Sequence, residues 1–211
     1  MHNLVIVIPS YNEDNLLDVV KKLNQYNILI IDDGSKIKVK KILINTPRIK
    51  ILRNVENKGY EYSLIKGFKF AVNRSKYILT MDADGEHLHS NIIKFYNYAK
   101  KNKIDLLIGS RSRLNRLSEK ILSILFLKKF DIKDPLSGFK IYNSKELKKI
   151  IKTKKFDNAF LVDLIKIFFE KGLKVKNYNI KSSKKNHRKS SFPNLKTSFK
   201  ILTLIKYIKY F

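Results

Sequence analysis

The stretch Met81-Asp82-Ala83-Asp84-Gly85-Glu86-His87 directly follows the apolar run Tyr77-Ile78-Leu79-Thr80. A short apolar run of this kind predicts a buried strand, so that the carboxylates of Asp82 and Asp84 emerge where the strand ends. Two Asp side chains one residue apart at a strand end can both turn toward one cation. Hard oxygen ligands with room for water and phosphate suit Mg²⁺ or Mn²⁺. The alternative is a solvated turn, since Asp and Gly are favoured in turns.

The rest of the chain alternates strand-like and helix-like segments. Residues 4–8 form a continuous apolar, β-branched run, as expected of a strand covered on both faces. Strands that alternate with helices indicate βαβ units, and so an α/β domain whose mostly parallel central sheet is flanked by helices. We place this single domain at residues 1–192, followed by a basic amphipathic helix at 193–211. Further strands are predicted at residues 28–31, 49–52, 77–80, 105–108 and 173–180, and helices at residues 14–23, 36–44, 60–72, 90–101 and 159–170.

Polar clusters follow three of the predicted strands, at residues 10–13, 32–33 and 82–86. In open α/β sheets ligands bind at the carboxyl ends of the strands, so these clusters are expected to form one site. Ser and Asp are also preferred helix N-caps, a role that suits Asp14 and Ser35. The sequence contains neither a G-x-G-x-x-G nor a G-x-x-x-x-G-K-[ST] motif, which argues against a dinucleotide-binding Rossmann domain and a P-loop NTPase.

The chain is strongly basic, with 45 Lys and Arg against 18 Asp and Glu and a formal net charge of +27. Such a charge favours polyanionic partners, namely nucleic acid, anionic lipid headgroups or phosphorylated substrates, although biased residue usage is an alternative reason. The absence of cysteine excludes disulfides and thiolate zinc sites and suits a reducing cytoplasm. The apolar start is cut off by Pro9 and predicts a core strand instead of a signal peptide. No stretch approaches the roughly 20 apolar residues that span a bilayer.

Six short motifs together resemble a known family. In family order they are Pro9-Ser-Tyr-Asn-Glu13, Asp32-Asp-Gly-Ser35, Asn57-Lys-Gly59, Asp82-Ala-Asp84, Gly109-Ser-Arg111 and Asp134-Pro-Leu-Ser-Gly-Phe-Lys140. Over about residues 4–192 the chain resembles the family 2 inverting glycosyltransferases of the GT-A fold, most closely the dolichyl- or polyprenyl-phosphate sugar synthases. The resemblance implies metal-dependent transfer of a sugar from a GDP- or UDP-linked donor to a polyprenyl phosphate.

The resemblance also implies roles for individual residues. Asp82, Asp84 and Glu86 would ligate Mg²⁺ or Mn²⁺, with Glu86 where mannose synthases place a Gln. Arg111 would bind phosphate, a task that suits a fixed guanidinium fork, and Asp134 would be the acceptor-side carboxylate. Whether Asp134 orients an already ionised phosphate acceptor or acts as general base toward a hydroxyl stays open, as does a plain turn carboxylate. The implied nucleotide-sugar pocket comprises Pro9, Tyr11, Glu13, Ile31, Asp33, Asp82, Ala83, Asp84 and Arg111.

The C-terminal part carries two further predictions. Arg188, Lys189 and Ser190 resemble the family's mobile basic loop over the donor diphosphate and acceptor phosphate, although its Gly is missing, and a solvated Lys run is the alternative. Residues 196–211 interleave apolar side chains with Lys and Tyr, which suits the headgroup interface of an anionic membrane. Packing on the domain or a dimer seam is the alternative. We therefore expect a cytoplasmic enzyme held peripherally on the cytoplasmic face of a membrane.

Two other functions compete with the synthase hypothesis. A family 2 enzyme can instead transfer the sugar to a glycan hydroxyl, as in surface polysaccharide or glycolipid synthesis. From another class, the charge of +27 is an electrostatic footprint typical of a nucleic-acid binder. Against this, the predicted acidic cluster would repel phosphates without a metal, and no RNA-binding signature is present. Nucleic acid is therefore not an expected partner.

Overall fold

The structure is a computed structural model that describes residues 3–42, 48–112, 114, 116–153 and 160–181. The predictions for Arg188, Lys189 and Ser190 and for the helix at 193–211 lie outside these residues. Within them, seven strands and seven helices follow one another along the chain. They are β1 (Leu4–Ser10), α1 (Leu16–Lys21), β2 (Asn27–Asp32), α2 (Val39–Ile42), β3 (Ile49–Arg53), α3 (Tyr60–Ala71), β4 (Tyr77–Thr80), α4 (Ser90–Lys101), β5 (Leu106–Arg111), α5 (Leu117–Phe130), β6 (Lys140–Asn143), α6 (Ser144–Thr153), α7 (Phe160–Glu170) and β7 (Val175–Ile180).

The strands form one seven-stranded sheet in the order β3-β2-β1-β4-β6-β5-β7. All neighbouring pairs are parallel except the two that involve β6, which runs antiparallel between β4 and β5. The predicted mostly parallel sheet is therefore confirmed. Because β1, β2, β4 and β5 run in the same direction, the polar segments that follow them meet at one edge of the sheet.

Helices cover both faces of the sheet, which is why its central strands are apolar at almost every position. Alternate residues of β1 point to opposite faces: Ile6 and Ile8 lie in the same buried cluster as α1, α2 and α4, whereas Val7 lies with α3, α5, α6 and α7. On the face covered by α3, α5, α6 and α7, the Phe68 ring packs edge-on against Tyr142 with 5.0 Å between ring centroids. Phe68 is fully buried and joins α3 to the sheet.

Three elements were not predicted from the sequence: α5, β6 and α6. Strand β6 has four residues, begins with Lys140 and ends with Asn143, so it lacks the apolar run that indicates a strand. Helix α5 is apolar on its outer as well as its inner face and so lacks the single apolar stripe of a surface helix. Helix α6 does bury Leu147 and Ile150 on one side, but its four Lys residues make its sequence more charged than periodic.

Helix α3 lies unusually close to β1 at Gly67. A Cβ atom at this position would lie 2.5 Å from Val7 Cγ1 and 3.4 Å from Ile31 Cγ1. Both neighbours are buried and β-branched, so they have little room to move. The close approach of the helix to the sheet therefore depends on the missing side chain.

We expect Gly67→Ala to lower the free energy of unfolding by about 1–2 kcal/mol. Overpacking a well-filled core costs roughly 1–3 kcal/mol, which exceeds the gain of about 1 kcal/mol from replacing Gly in a helix. Denaturant unfolding measures the difference. Lys69→Ala, on the exposed side of the same helix, is the control and should change stability by no more than about 0.5 kcal/mol. A more stable Gly67→Ala protein would contradict the packing argument.

Candidate active site

Hydrogen bonds from backbone N–H groups to side-chain oxygens join the segments that follow β1 and β2. Asn12 has a positive φ of 52°. Its backbone N–H donates to Ser35 Oγ at 3.0 Å, and its side-chain oxygen accepts from the Lys36 N–H at 2.8 Å. These bonds fix the first two strand ends relative to each other.

The residues predicted for the nucleobase side differ in exposure. Tyr11 is 45% exposed, so its ring is available for stacking, and Glu13 is partly exposed. Pro9 is buried opposite Ile31 in the β1–β2 register, and the Ile31 side chain lies in the core. Contact of Ile31 with a ligand at the sheet edge is therefore restricted to its backbone.

Asp33 is buried with both carboxylate oxygens in use. Oδ1 accepts from Asn54 Nδ2 at 2.7 Å and from the Lys58 N–H at 2.9 Å, and Oδ2 accepts from the Gly59 N–H at 2.8 Å. The Asp33 carboxylate thus holds the Asn57-Lys-Gly59 motif in place. The sequence linked the two motifs by family order alone.

Asp32 has a structural role beside it. It forms an ion pair with Arg53 and accepts from the backbone N–H groups of Ser35 at 2.9 Å and Val39 at 3.2 Å. Burial acts to raise the pKa of Asp32, but the hydrogen bonds from Ser35, Arg53 and Val39 outweigh it and hold this pKa below its ordinary value. Asp32 therefore stabilises the segment after β2 instead of facing a ligand.

Asp82 is held by two partners at the end of β4. The Tyr60 hydroxyl donates to Oδ1 at 3.0 Å, and His87 Nε2 lies 3.3 Å from Oδ2. Burial acts to raise the pKa of Asp82, but His87, Tyr60 and the charge of Arg111 hold it below its ordinary value. Burial and the charges of Asp82 and Asp84 hold the pKa of Tyr60 well above its ordinary value, so Tyr60 stays a donor. Sequence analysis assigned no role to Tyr60 or His87.

Gly138 explains why the last motif contains glycine. A Cβ atom here would lie 2.2 Å from Asp82 Oδ2, so a side chain at this position would displace the carboxylate. The Gly138 carbonyl in turn accepts from Thr80 Oγ1 at 2.8 Å. The segment before β6 therefore packs directly against the end of β4.

Asp84 and Glu86 extend the acidic edge. Asp84 Oδ1 accepts from the Glu86 N–H at 2.9 Å, and Asn15 Nδ2 donates to the Asp84 carbonyl at 3.3 Å, which ties this turn to α1. Ala83, between Asp82 and Asp84 in the chain, is buried. The Glu86 side chain is largely buried and its Oε1 lies 3.7 Å from Arg111 Nη1.

Arg111 and Asp134 form a two-pronged ion pair. Arg111 Nε donates to Asp134 Oδ2 at 2.8 Å and Nη2 donates to Oδ1 at 3.2 Å, while the Arg111 backbone N–H reaches Oδ2 at 3.2 Å. Burial acts to lower the pKa of Arg111, but Asp134, Glu86 and Glu119 raise it above its ordinary value. The two residues predicted to be catalytic are thus in direct contact, and Arg111 is always charged.

Glu119 is a site residue that sequence analysis missed. It lies in the first turn of α5, is 7% exposed, and its Oε2 is 4.0 Å from Arg111 Nη2. Arg116 Nη1 donates to Glu119 Oε1 at 2.9 Å. Glu119 belongs to no quoted motif, and α5 itself was not predicted, so the sequence held no signal for it.

Lys140 is a second residue that sequence analysis did not single out, although it ends the last motif. It is 1% exposed, and its Nζ donates to the carbonyls of Pro135 at 2.9 Å and Ser137 at 2.6 Å. Burial lowers its pKa from 10.5 to about 8, partly opposed by the charges of Asp134 and Asp82. The Lys140 ammonium therefore stabilises the segment that carries Asp134.

The charges of the site are opposite in sign to those of the chain. Carboxylates outnumber cations among the site side chains described above, whereas the whole chain carries a net charge of +27. Carboxylate oxygens are the ligands that Mg²⁺ and Mn²⁺ prefer, so the donor set fits such an ion at Asp82 and Asp84. Within the described part of the chain, however, no group of three or more His, Asp or Glu side chains is arranged to hold one ion. Glu86 lies against Arg111 instead.

Comparison with known proteins finds sequence relatives of this chain. The sequence profile of glycosyl transferase family 2 matches residues 5–162. An uncharacterised protein of Methanocaldococcus jannaschii is 29% identical, over 94% of this chain and 89% of the relative. A dolichyl-phosphate beta-glucosyltransferase of Dictyostelium discoideum is 28% identical over 77% of this chain, and a dolichol-phosphate mannosyltransferase of Pyrococcus furiosus is 32% identical over 64%. The chain spans 61% and 44% of the length of these two enzymes.

The fold is shared with a solved structure. Glucosyl-3-phosphoglycerate synthase of M. tuberculosis superposes with a TM-score of 0.74, covering 98% of this chain and 80% of that chain, at 15% sequence identity. The predicted GT-A fold is thereby confirmed. Among the helices of the described residues, none is long and apolar enough to cross a membrane.

The buried ammonium of Lys140 predicts a pH dependence of stability. Its pKa in the folded protein is about 8, below the ordinary 10.5, so between these values the unfolded chain binds more protons than the folded one. The contribution of Lys140 to stability therefore rises with pH across this window. The free energy of unfolding of the native protein minus that of Lys140→Met should rise by roughly 3 kcal/mol from about pH 7.5 to about pH 10.5.

Denaturant titrations of both proteins at several pH values measure this difference and cancel the titration of the other lysines. Lys176→Met, at an exposed position of β7, is the control for losing one positive charge. A difference for Lys140→Met that stays constant with pH would contradict the burial of a charged ammonium.

Proposed function

The chain belongs to glycosyl transferase family 2 and is a glycosyltransferase, and we propose that it moves a sugar from a GDP- or UDP-linked donor to a polyprenyl or dolichyl phosphate in a metal-dependent, inverting reaction. The observation that carries the proposal is the ion pair of Arg111 with Asp134, set beside the carboxylates of Asp82, Asp84 and Glu86 at the carboxyl ends of β4 and β5.

The state of Asp134 favours a phosphate acceptor. The residue is 2% exposed, and Arg111 donates to both of its oxygens. A carboxylate bound in this way is poorly placed to take a proton from a hydroxyl, because a general base needs a free oxygen within reach of that proton. A phosphate monoester is already ionised near neutral pH and needs no base. Asp134 then acts by fixing Arg111.

The proposed reaction is a single displacement at the anomeric carbon. An oxygen of the acceptor phosphate attacks the anomeric carbon from the face opposite the nucleotide, a new carbon–oxygen bond forms, and the bond to the nucleoside diphosphate breaks with inversion. A divalent cation held by Asp82 and Asp84 would supply charge neutralisation for the leaving diphosphate. Arg111 is positively charged at every relevant pH and needs no reorientation, so it would hold the acceptor phosphate in place for attack.

The donor would occupy the edge formed by β1, β2 and β4. The exposed ring of Tyr11 offers a stacking face to a base, and Pro9 closes the floor beside it. Asp33 supports the pocket through the Lys58 and Gly59 N–H groups. The positive charge of the chain attracts a diphosphate donor to the molecule as a whole.

The named relatives support a lipid-phosphate acceptor. Two carry dolichyl or dolichol phosphate in their names, one as a glucosyl- and one as a mannosyltransferase, so the sugar is left open. Peripheral attachment to the cytoplasmic face of a membrane through residues 193–211 completes the proposal, with Arg188, Lys189 and Ser190 as the basic loop over the phosphates.

Turnover should require metal, donor and lipid phosphate together. We would screen UDP- and GDP-sugars with Mg²⁺ or Mn²⁺ and a short-chain polyprenyl phosphate, and follow nucleoside diphosphate release. With the active donor, Asp84→Asn should lower turnover at least ~100-fold, the usual loss when an electrostatic partner of a developing charge is removed. Asp18→Asn, at an exposed position of α1, is the matched control and should keep activity.

Three outcomes would count against this proposal. Unchanged turnover of Asp84→Asn would remove the metal assignment. Transfer to a glycan hydroxyl but not to lipid phosphate would show that the acceptor class is wrong. Tight polyanion binding that survives EDTA, without transfer to any acceptor, would favour the nucleic-acid alternative.

A further inference from the structure

The outer face of α5 exposes four large apolar side chains. Leu117 is 74% exposed, Ile124 66%, Leu127 44% and Ile121 37%. They are spaced by three or four residues and therefore form one continuous stripe along the helix. Of the other described helices, α4 exposes the most large apolar side chains, and it has two.

The charges along this stripe are positive, and the exposed Asp131 follows at the C-cap of the helix. Lys120 and Lys128 lie on the same exposed face, and Lys129 follows. The one acidic residue of the helix, Glu119, is buried on the opposite side. Lysine can lay its aliphatic stem on an apolar surface and keep its ammonium outside. An apolar stripe edged mainly by lysines is complementary to a surface that is apolar inside and anionic outside.

The inner face of the same helix reaches the active site. Glu119 lies 4.0 Å from Arg111, and Arg116, just before the helix, donates to Glu119. A helix with its side chains is about 10–12 Å thick, so whatever contacts the outer face of α5 opposite Glu119 is within roughly 15 Å of Arg111. The stripe is thus a surface directly beside the proposed phosphate site.

We propose that the outer face of α5 docks on an anionic lipid bilayer, with its apolar stripe in the headgroup–acyl boundary and its lysines at the lipid phosphates. This deepens the proposed function, on which it rests for its purpose: a phosphate carried by a lipid in that bilayer reaches Arg111 without leaving the membrane. A second copy of the chain fits less well, because two faces edged by lysines on molecules of charge +27 repel each other.

Vesicle flotation of the full-length protein tests the docking directly. The probe is vesicles of phosphatidylcholine with about 30% phosphatidylglycerol, against vesicles of phosphatidylcholine alone. The native protein should float with the anionic vesicles, and the double variant Ile121→Gln/Ile124→Gln should partition into them at least ~10-fold less, because it loses two inserted apolar side chains. Ile93→Gln, at a 38% exposed position of α4, is the matched control and should float like the native protein.

Two measurements exclude other occupants of this face. The double variant should keep the native melting temperature, since its side chains are exposed; a clear fall would mean that another part of the chain covers α5, and would overturn the proposal. The native protein and the double variant should have the same mass in sedimentation. A dimer that the double variant abolishes would show that a second copy is the occupant. Flotation of the double variant equal to that of the native protein would also overturn the proposal.

The acceptor can be presented in two ways to separate this inference from the proposed function. With a short-chain polyprenyl phosphate free in solution, the double variant should turn over like the native protein. With a long-chain acceptor embedded in vesicles, it should lose at least ~10-fold in rate, in line with its partition. If the native protein floats but transfers no sugar in either format, the docking stands and the proposed function is wrong.

Discussion

The ion pair between Arg111 and Asp134 is the contact on which the rest of the site depends. Arg111 ends β5 and Asp134 begins the segment that turns back into β6, so the pair joins two neighbouring strands just outside the sheet. Such a fork-to-carboxylate contact fixes direction as well as distance. With Asp134 fixed, the following residues run past β4, which brings Gly138 against the Asp82 carboxylate. The ion pair of Arg111 and Asp134 thus helps to set the position of the Asp82 carboxylate.

The buried ammonium of Lys140 makes this arrangement self-consistent. An unpaired charge in the interior would be very costly, but here two carbonyls of the Asp134 segment accept from Nζ and two carboxylates lie nearby. In the β4–β6 and β5–β6 registers Lys140 lies opposite Thr80 and Ile108, which precede Asp82 by two residues and Arg111 by three. The antiparallel strand therefore delivers a cation directly beneath the acidic edge. The contacts that stabilise the Lys140 ammonium are therefore the same ones that place a positive charge beneath the acidic edge.

The parallel part of the fold and its edge were predictable from the sequence, whereas the inserted part was not. Runs such as Leu4–Ser10 are apolar at nearly every position because both sheet faces are covered, and the residues after each run then fall at one edge. Strand β6 escaped prediction because its signal is ionic: Lys140 is inside only because Asp134, Pro135 and Ser137 surround it in three dimensions. Glu119 was equally hidden, since its helix is apolar on both sides. Motifs located Asp82, Arg111 and Asp134, but only the structure showed that the last two are partners.

The contrast between an acidic edge and a basic molecule has a consequence for how ligands enter. The long-range field of a +27 chain attracts any phosphate compound, which raises encounter rates without selecting among ligands. Within the site the carboxylates of Asp82, Asp84 and Glu86 reverse the sign over a few ångströms, so a bare phosphate is repelled where a diphosphate accompanied by a divalent cation is not. Among the described side chains beside these carboxylates, Arg111 offers positive charge that Asp134 already neutralises in part. In the proposed reaction, attraction at long range and repulsion at short range would together sort a metal-bearing donor from other polyanions, a selectivity that neither charge pattern gives alone.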